Sequence, residues 1–440
     1  MSHASSIPST EHARAQAILR ARRRLVPFLL LMYVISFLDR ANIGFAKQAL
    51  EDHVGISPHA YALGAGLFFV SYSLCGFPSN LILHRIGARI WMTWIMVVWG
   101  LVSMATMLVT GSASLYTLRL ILGVAEAGFF PGVILYLTYW FPTRVRGQIL
   151  GLFYLGVPLA MVLGSPLSGF LLAMHPVGSL QNWQWMFLVE GSLAVIVGIA
   201  AWFYLDDRPA HATWFPPAEK SALTEMLAAE ESLRRSSGPS TIARMLRDPR
   251  VLHFFVIYLF IQISMYGATF YLPSQVSAIM GRPAGFEVGV VAAIPWICAC
   301  AAVFWLPPFA DRHRCHRTLA ALTLLIAGAA SFAFPSAGPR AALVALSLAV
   351  SGFVAVQPMF WTLPTGYFAD RAAAGGIAVI TMGNLGGFIA PNLKVFADDH
   401  LHSPVAGLYL LAAITVLNAG LIALVRTHPH KPVATTLPSR

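Results

Sequence analysis

Charged side chains are scarce in this sequence. Only 11% of its 440 residues are Asp, Glu, Lys or Arg, and 57% are hydrophobic, whereas about a quarter of the residues in a soluble globular protein are charged. So few solvating groups cannot keep the surface of a chain of this length in water. The composition therefore excludes a soluble enzyme, a disordered chain and a cytoplasmic nucleic-acid-binding protein.

Cysteines and catalytic motifs are also few. The four cysteines are too scattered for a disulfide framework. Cys298 and Cys300 are two positions apart, on different faces of a helix, which favours packing over a metal site. The sequence has no His-Glu-x-x-His, Gly-x-Ser-x-Gly or Gly-x-x-x-x-Gly-Lys motif. We therefore expect no enzyme activity, metal or cofactor, and a membrane enzyme or a non-transporting sensor is only a minor alternative.

Uncharged hydrophobic stretches recur along the chain, and a helix needs about 20 apolar residues to cross a bilayer. Together these stretches predict twelve transmembrane helices. One long polar segment, residues 206–250, separates six of them from the other six. The two sets cover 181 and 176 residues, and such near-equal halves are typical of a duplicated transporter.

The predicted architecture is an all-α membrane protein with two six-helix halves. Its segments are a cytoplasmic amino-terminal segment (1–24), a first bundle (25–205), a cytoplasmic linker (206–250), a second bundle (251–426) and a cytoplasmic tail (427–440). Within the linker, residues 218–235 predict a short amphipathic surface helix, and residues 236–240 predict its flexible exit. A monomer is the default expectation.

The distribution of Lys and Arg predicts the orientation in the membrane. With the amino terminus inside, the internal segments hold 23 of these residues and the external loops hold four, which is a strong positive-inside bias. We therefore expect both termini in the cytoplasm and the protein in the inner membrane. The net charge of +11 does not indicate nucleic acid as a partner, because the basic residues are placed to contact anionic lipid headgroups.

Four ionisable side chains are noted inside the predicted spans: Asp39 and Arg40 in the first, Arg119 and Glu126 in the fourth. Each costs about 2.5–3.5 kcal/mol near mid-bilayer on insertion scales, so such residues normally face a polar cavity and pair. Asp39 and Arg40 point about 100° apart on a helix and need partners elsewhere. We expect Asp39 to pair with Arg119 and Arg40 with Glu126. Snorkelling to the membrane surface is the alternative.

These four residues suit the coupled transport of an anion. Arginine offers a planar fork that matches a carboxylate, and a buried carboxyl beside an arginine gains or loses a proton as that arginine changes partner. If a substrate carboxylate draws Arg40 away from Glu126, then Glu126 becomes easier to protonate. The hypothesis is therefore symport of an organic anion with protons.

Short motifs in both halves carry a family resemblance. In the first half they are Phe37-Leu38-Asp39-Arg40-Ala41-Asn42-Ile43-Gly44, Gly76-Phe77-Pro78-Ser79-Asn80, Arg119 with Gly123-Val124-Ala125-Glu126-Ala127-Gly128-Phe129-Phe130-Pro131-Gly132, and Trp183-Gln184-Trp185-Met186-Phe187 with Glu190-Gly191. The second half adds the looser match Asn384-Leu385-Gly386-Gly387-Phe388. Together they resemble the major facilitator superfamily, and within it the anion:cation symporter family.

The sequence is most similar to the 4-hydroxyphenylacetate, tartrate and phthalate permeases of that family. Galactonate-type permeases and the vesicular glutamate and sialic-acid carriers are more distant. The resemblance implies proton-driven uptake of an organic carboxylate, either an aromatic acid, a tartrate-like acid or a sugar acid, with no cofactor other than the proton gradient. A proton-coupled drug or metabolite exporter of the same fold is the alternative, although two buried arginines would repel a cationic drug.

The resemblance also implies roles for individual residues. Asp39 and Glu126 would carry protons, Arg40 would bind the substrate carboxylate, Arg119 would balance charge at the substrate site, and Tyr72 would line the cavity. Further candidates for contact with the substrate are Tyr33, Gln357, Trp361 and Asn384.

Two further expectations concern helix breaks and gating. Pro131, Pro158 and Pro364 are expected to break hydrogen bonding within their spans. The loop after the second span has Leu83-His84-Arg85 where many superfamily members carry an acidic residue. Asp311, in the equivalent loop of the second half, is therefore a candidate for a gating salt bridge.

Overall fold

A computed structural model describes residues 7–175, 178–235, 248–367 and 373–425. Every regular element within these ranges is a helix, so the all-α expectation is confirmed. The predicted flexible exit of the linker (236–240) and the predicted tail (427–440) lie outside the described residues.

The helices follow the predicted order of spans and linker. In the first half they are α1 (Ile7–Val54), α2 (Pro58–Ile86), α3 (Ala88–Ala105), α4 (Ser112–Glu126), α5 (Phe129–Trp140), α6 (Thr143–Tyr154), α7 (Gly156–Ala173) and α8 (Asn182–Tyr204). The linker forms α9 (Pro217–Arg235). The second half contains α10 (Pro249–Met280), α11 (Phe286–His313), α12 (His316–Ala333), α13 (Pro339–Tyr367), α14 (Ala373–Thr381), α15 (Gly386–His400) and α16 (Ala406–Ala423).

Ten helical segments in the described ranges are long and apolar enough to cross a membrane. The predicted second and eleventh spans are not among these ten, although both regions are helical. The eleventh region is divided into α14 and α15 by a 3₁₀ turn at Met382–Leu385. With 9 and 15 residues, neither α14 nor α15 reaches the length of about 20 residues that a crossing needs.

The first helix is much longer than one membrane crossing. Its 48 residues rise about 70 Å at 1.5 Å per residue, against about 30 Å of hydrocarbon. The helix therefore extends well beyond the hydrocarbon, and residues 7–24 of the segment predicted to be cytoplasmic continue without a break into the first span. Near its beginning, Nε of Arg20 lies 2.8 Å from Oε2 of Glu219 in α9, so this part of α1 is joined to the linker.

Proline explains two of the breaks within spans. Pro131 and Pro158 have no backbone N–H, so the carbonyls four residues earlier, at Ala127 and Tyr154, lose their helical hydrogen bonds. The fourth span accordingly divides between α4 and α5, and the fifth divides between α6 and α7. Pro364, by contrast, lies inside α13, which continues to Tyr367. Because Pro364 also has no N–H, the carbonyl of Phe360 loses its helical hydrogen bond, although the helix is not interrupted there.

The two halves meet along three main helix pairs: α1 with α10, α2 with α15, and α7 with α11. Glycines permit close approach of helix backbones. A methyl group added at Gly289 of α11 would collide with the Ser165 carbonyl of α7, and one at Gly66 of α2 would lie 2.8 Å from the Phe388 ring of α15. These contacts bring side chains of both halves together in the middle of the molecule.

Helices α3 and α8 cross closely within the first half, and we predict that Gly100→Ala disrupts this crossing. The added methyl group would lie 2.8 Å from the Gly191 carbonyl oxygen, and overpacking of this kind costs about 1–3 kcal/mol. The melting temperature of the purified protein in detergent should fall. Gly151→Ala is the matched control, because its methyl group would have no atom within 4 Å; an equal fall in both variants would contradict the prediction.

Candidate functional site

The expected ion pair between Arg40 and Glu126 lies at the centre of the site. Nη2 of Arg40 is 2.7 Å from Oε1 of Glu126, and Nε donates a hydrogen bond of 2.9 Å to the same oxygen. The two side chains are only 6% and 0% exposed. The expected pairing is therefore confirmed, and snorkelling is excluded for these two residues.

The local sequence of the fourth span explains how Glu126 reaches this position. Glu126 is the last residue of α4, directly before the break that Pro131 imposes. Gly123 lies one turn earlier, and a methyl group there would collide with the Phe68 carbonyl of α2. Because Gly123 has no side chain, α4 approaches α2 closely, and the carboxylate of Glu126 points into the bundle.

Arg40 also connects the two halves. Its Nη1 donates a hydrogen bond of 3.1 Å to the hydroxyl of Tyr266, on α10 of the second half. The guanidinium carbon lies 4.9 Å from the ring centre of Phe37 and 4.8 Å from that of Tyr72. Cation–π contacts of this kind stabilise a guanidinium that is withdrawn from water. The predicted cavity residue Tyr72 therefore contacts the arginine.

Asp39 does not pair with Arg119, which corrects the expected arrangement. Its Oδ1 accepts a hydrogen bond of 3.1 Å from Asn42 and another from the Ser103 hydroxyl of α3. Asp39 and Arg119 lie close enough to interact electrostatically, but their side chains do not come within ion-pair distance.

Arg119 is buried with an incomplete set of partners. It forms no ion pair within the described ranges, and its Nε and Nη2 have no hydrogen-bond partner there. Its guanidinium carbon lies 5.2 Å from the ring centre of Phe68, and that of Arg40 lies 5.4 Å from the same centre. Two buried guanidinium groups thus contact one aromatic ring, and Arg119 retains donors for a further acceptor.

Glu190 is a fifth charged residue inside the predicted spans of the first half, and the count of four Asp, Glu, Lys and Arg residues missed it. It lies within α8 and is 1% exposed. Oε1 of Glu190 accepts a hydrogen bond of 2.6 Å from Ser168 of α7. The signal was present in the sequence, because Glu190 interrupts an otherwise uncharged stretch from Asn182 to Tyr204.

The predicted residues of the second half occupy two helical regions. Gln357 is buried on α13, and Trp361, one turn further, packs 5.1 Å from the ring of Tyr258. Asn384 lies in the 3₁₀ turn of the eleventh region, where its Oδ1 accepts a hydrogen bond of 2.7 Å from Gln262 of α10. Sequence reasoning did not select Gln262, because a glutamine in an apolar helix has no distinctive spacing.

Tyrosines surround the central pair from both halves. Tyr33 stacks on Phe153 with ring centres 4.1 Å apart. The hydroxyl of Tyr266 accepts a hydrogen bond from Arg40, and the ring of Tyr72 lies against the same guanidinium group. The site therefore combines a partly neutralised arginine with several phenolic groups that can donate or accept hydrogen bonds.

The candidate gating residue Asp311 has a partner within its own half. Its Oδ1 lies 2.7 Å from Nε2 of His316 in the same half. The two residues are five positions apart in the sequence. Their contact does not join the two halves, so a gating role for Asp311 is not supported.

A family model described as the Major Facilitator Superfamily matches residues 29–391. The chain belongs to this superfamily. Its members are membrane transporters that need no cofactor, and the chain is therefore a multi-pass transporter and not an enzyme. The matched region contains every residue of the site described above.

Three relatives are similar over nearly their full lengths. "Inner membrane transport protein RhmT" of Escherichia coli (strain K12) is 44% identical over 94% of this chain and 97% of its own. A "Putative tartrate transporter" of Agrobacterium vitis is 40% identical over 97% of this chain and 95% of its own. A "Quinolone resistance transporter" of Acinetobacter baumannii is 36% identical over 90% of this chain and 91% of its own.

Solved structures agree with the fold. The D-xylose-proton symporter matches with a TM-score of 0.71 over 92% of this chain and 98% of its own, at 15% sequence identity. At this identity the likeness concerns the fold alone.

We predict that Arg40→Ala strongly destabilises the protein, because it leaves Glu126 buried without its cation. Removing one partner of a buried pair costs about 3–5 kcal/mol. The double variant Arg40→Ala/Glu126→Gln should recover much of this loss, since it removes the unpaired charge. Thermal melting of the purified variants measures both effects.

The pair of Arg20 and Glu219, whose arginine side chain is 48% exposed, is the matched control for this experiment. Arg20→Ala should change the melting temperature much less, because solvent screens a pair that has one exposed partner. If Arg40→Ala were no more destabilising than Arg20→Ala, or if the double variant were less stable than the single one, the central ion pair would not have the energetic role that its burial indicates.

Proposed function

We propose that this protein is a proton-coupled symporter that imports an organic carboxylate by alternating access. The observation that carries the proposal is the position of Arg40, which contacts Glu126 in its own half and Tyr266 in the other. A substrate carboxylate that binds Arg40 competes with Glu126 for the guanidinium. Substrate binding and protonation of Glu126 are then linked through one side chain.

The proposed cycle follows from charge balance. Before substrate binds, Arg40 neutralises Glu126, and neither charge is free in the low-dielectric interior. When the substrate anion takes over Arg40, a proton on Glu126 restores neutrality. Because Arg40 also contacts the second half through Tyr266, its change of partner alters a contact that must break when the halves move.

Other residues have supporting roles in this proposal. Asp39 is a second proton carrier, and Arg119, with its unused donors, binds or balances a further negative charge of the substrate. Tyr33 and Tyr72 line the site in the first half. In the second half, Gln357, Trp361 and Asn384 contribute contacts to the part of the substrate remote from Arg40.

The proposed substrates are aromatic, tartrate-like or sugar acids. The similarity to a protein named as a tartrate transporter supports a small acid, and the tyrosine hydroxyls suit a hydroxylated one. We assign the chain to the anion:cation symporter family on its motifs. We further propose that it is a monomer in the inner membrane with both termini in the cytoplasm, as its basic residues indicate.

A drug exporter of the same fold is the second candidate. It is favoured by the 36% identity to a protein named as a quinolone resistance transporter. Quinolones carry a carboxylate, so an arginine at the site does not exclude them. The direction of transport and the response to a proton gradient distinguish export from uptake.

Uptake by proteoliposomes tests the proposal directly. We expect at least one labelled acid from a panel of aromatic, tartrate-like and sugar acids to accumulate under an inward proton gradient. A protonophore should abolish this accumulation. Accumulation that is unchanged by the protonophore would rule out symport. Gradient-driven extrusion of a quinolone, without uptake of any acid, would favour the exporter.

Two variants separate proton coupling from substrate binding. Glu126→Gln should lose gradient-driven accumulation but keep exchange of substrate across the membrane, because Arg40 remains available. Arg40→Ala should lose both activities, and Arg40→Lys should weaken apparent affinity about 10- to 100-fold through loss of the planar fork. Glu219→Gln is the matched carboxyl-to-amide control outside the site. If Glu126→Gln still concentrates substrate, Glu126 is not the coupling carboxyl.

A further inference from the structure

Glu190 is a buried carboxyl that the proposed cycle does not use. It lies in the interior of α8, where the chain is otherwise uncharged. Its Oε1 accepts the hydrogen bond from Ser168, and its Oε2 has no hydrogen-bond partner among the residues that the structure describes. A buried acceptor without a partner is costly, so the state of this carboxyl requires an explanation.

Asp39 and Asn42 of α1 lie beside Glu190. The amide of Asn42 donates to Oδ1 of Asp39 and lies within interaction range of Glu190. Oδ1 of Asn42 and Oδ2 of Asp39 also lack hydrogen-bond partners within the described ranges. Three oxygen acceptors on three neighbouring side chains are thus short of donors, although all three residues are buried.

The surrounding helices exclude water from this cluster. Next to Glu190, Gly191 meets Gly100 of α3, and a methyl group at Gly191 would lie 2.8 Å from the Gly100 carbonyl oxygen. Helix α7 closes another side and contributes Ser168. Glu190 is 1% exposed, so the protein itself has to supply any compensation for a charge.

No cation faces Glu190 from the helices that contact it most. Helix α7 contains no ionisable residue, and the only charged residue of α3, Arg89, donates to the Trp202 carbonyl at the far end of α8. Helix α1 presents Asp39, a like charge, and its neighbour Arg40 is occupied by Glu126. Within the described residues Glu190 forms no ion pair, so the Ser168 hydroxyl and the nearby Asn42 amide would be the groups left to compensate an ionised carboxylate here.

The balance of buried charges in the first bundle also favours a protonated carboxyl. Among the residues whose side chains the structure describes, the buried charged groups of the first bundle are three carboxyls, those of Asp39, Glu126 and Glu190, and two guanidinium groups, those of Arg40 and Arg119. If all five were ionised, the group would have one excess negative charge in a low-dielectric interior. One bound proton restores neutrality. It stabilises the bundle most when it is bound to the carboxyl that has no cation nearby, which is Glu190.

We propose that Glu190 binds a resident proton and forms, with Asn42 and Ser168, a second proton-binding site separate from the Arg40–Glu126 pair. The protonated Oε2 of Glu190 donates to Oδ1 of Asn42, so that both atoms gain a partner, and Oε1 accepts from Ser168. Deprotonation would place a second anion beside Asp39. One consequence rests on the proposed symport: at alkaline pH, loss of the proton from Glu190 weakens binding of the substrate anion.

Infrared spectroscopy of the purified protein near neutral pH, without substrate, tests the proposal. A carboxylic-acid C=O band should be present in the unmodified protein and lost in Glu190→Gln, while Glu126→Gln retains it. Persistence of the band in Glu190→Gln, or its loss in Glu126→Gln alone, would overturn the assignment.

Ser168→Ala provides a second test that keeps the carboxyl in place. Loss of the hydroxyl that donates to the C=O oxygen should shift the band to higher frequency. Ser165→Ala, which removes a buried hydroxyl of the same helix, is the matched control and should not move it. An unshifted band in Ser168→Ala would also overturn the assignment. These spectra need no transport, so absence of proton-driven uptake would refute the symporter alone.

Discussion

The buried contact between Arg40 and Glu126 is the interaction on which the site depends. A charge inside a membrane bundle is tolerated only when a partner of opposite sign and further hydrogen bonds replace the water that it has lost. Arg40 satisfies this requirement with Glu126, Tyr266 and the faces of several aromatic rings. In the proposed cycle the same contacts keep both charges available to a competing anion.

Backbone features of the fold make this contact possible. Pro131 ends α4 at Glu126, and Gly123 allows α4 to approach α2. Neither residue carries a functional group, yet both determine where the carboxylate lies. Tyr266 then extends the contact into the second half. A change in the partners of Arg40 therefore alters a contact between the two halves.

Charge balance unites the proposed function with the proton on Glu190. Three carboxyls and two guanidinium groups share one desolvated region, and an arriving anion adds another negative charge. A resident proton balances the empty site, and a second proton would balance the loaded one. In this proposal the number of charges in the bundle, more than any single distance, connects anion transport to protons.

Much of this protein could be predicted from the sequence alone. Transfer free energy into a membrane depends on local composition, so the order of spans, the central polar segment and the unusual positions of Arg40 and Glu126 were visible in one dimension. Their pairing was also predictable, since few opposite charges were available. Glu190 was equally visible in the sequence and was overlooked.

Other features were decided only by the tertiary structure. The separation of Asp39 from Arg119, the contact of Arg40 with Tyr266 and the cluster of Asp39, Asn42 and Glu190 depend on the rotation and level of neighbouring helices. A difference of one residue turns a side chain by about 100°, and the sequence of a single helix does not fix its position against the others. The composition thus determined which charges had to be buried, and the helix arrangement determined which of them meet.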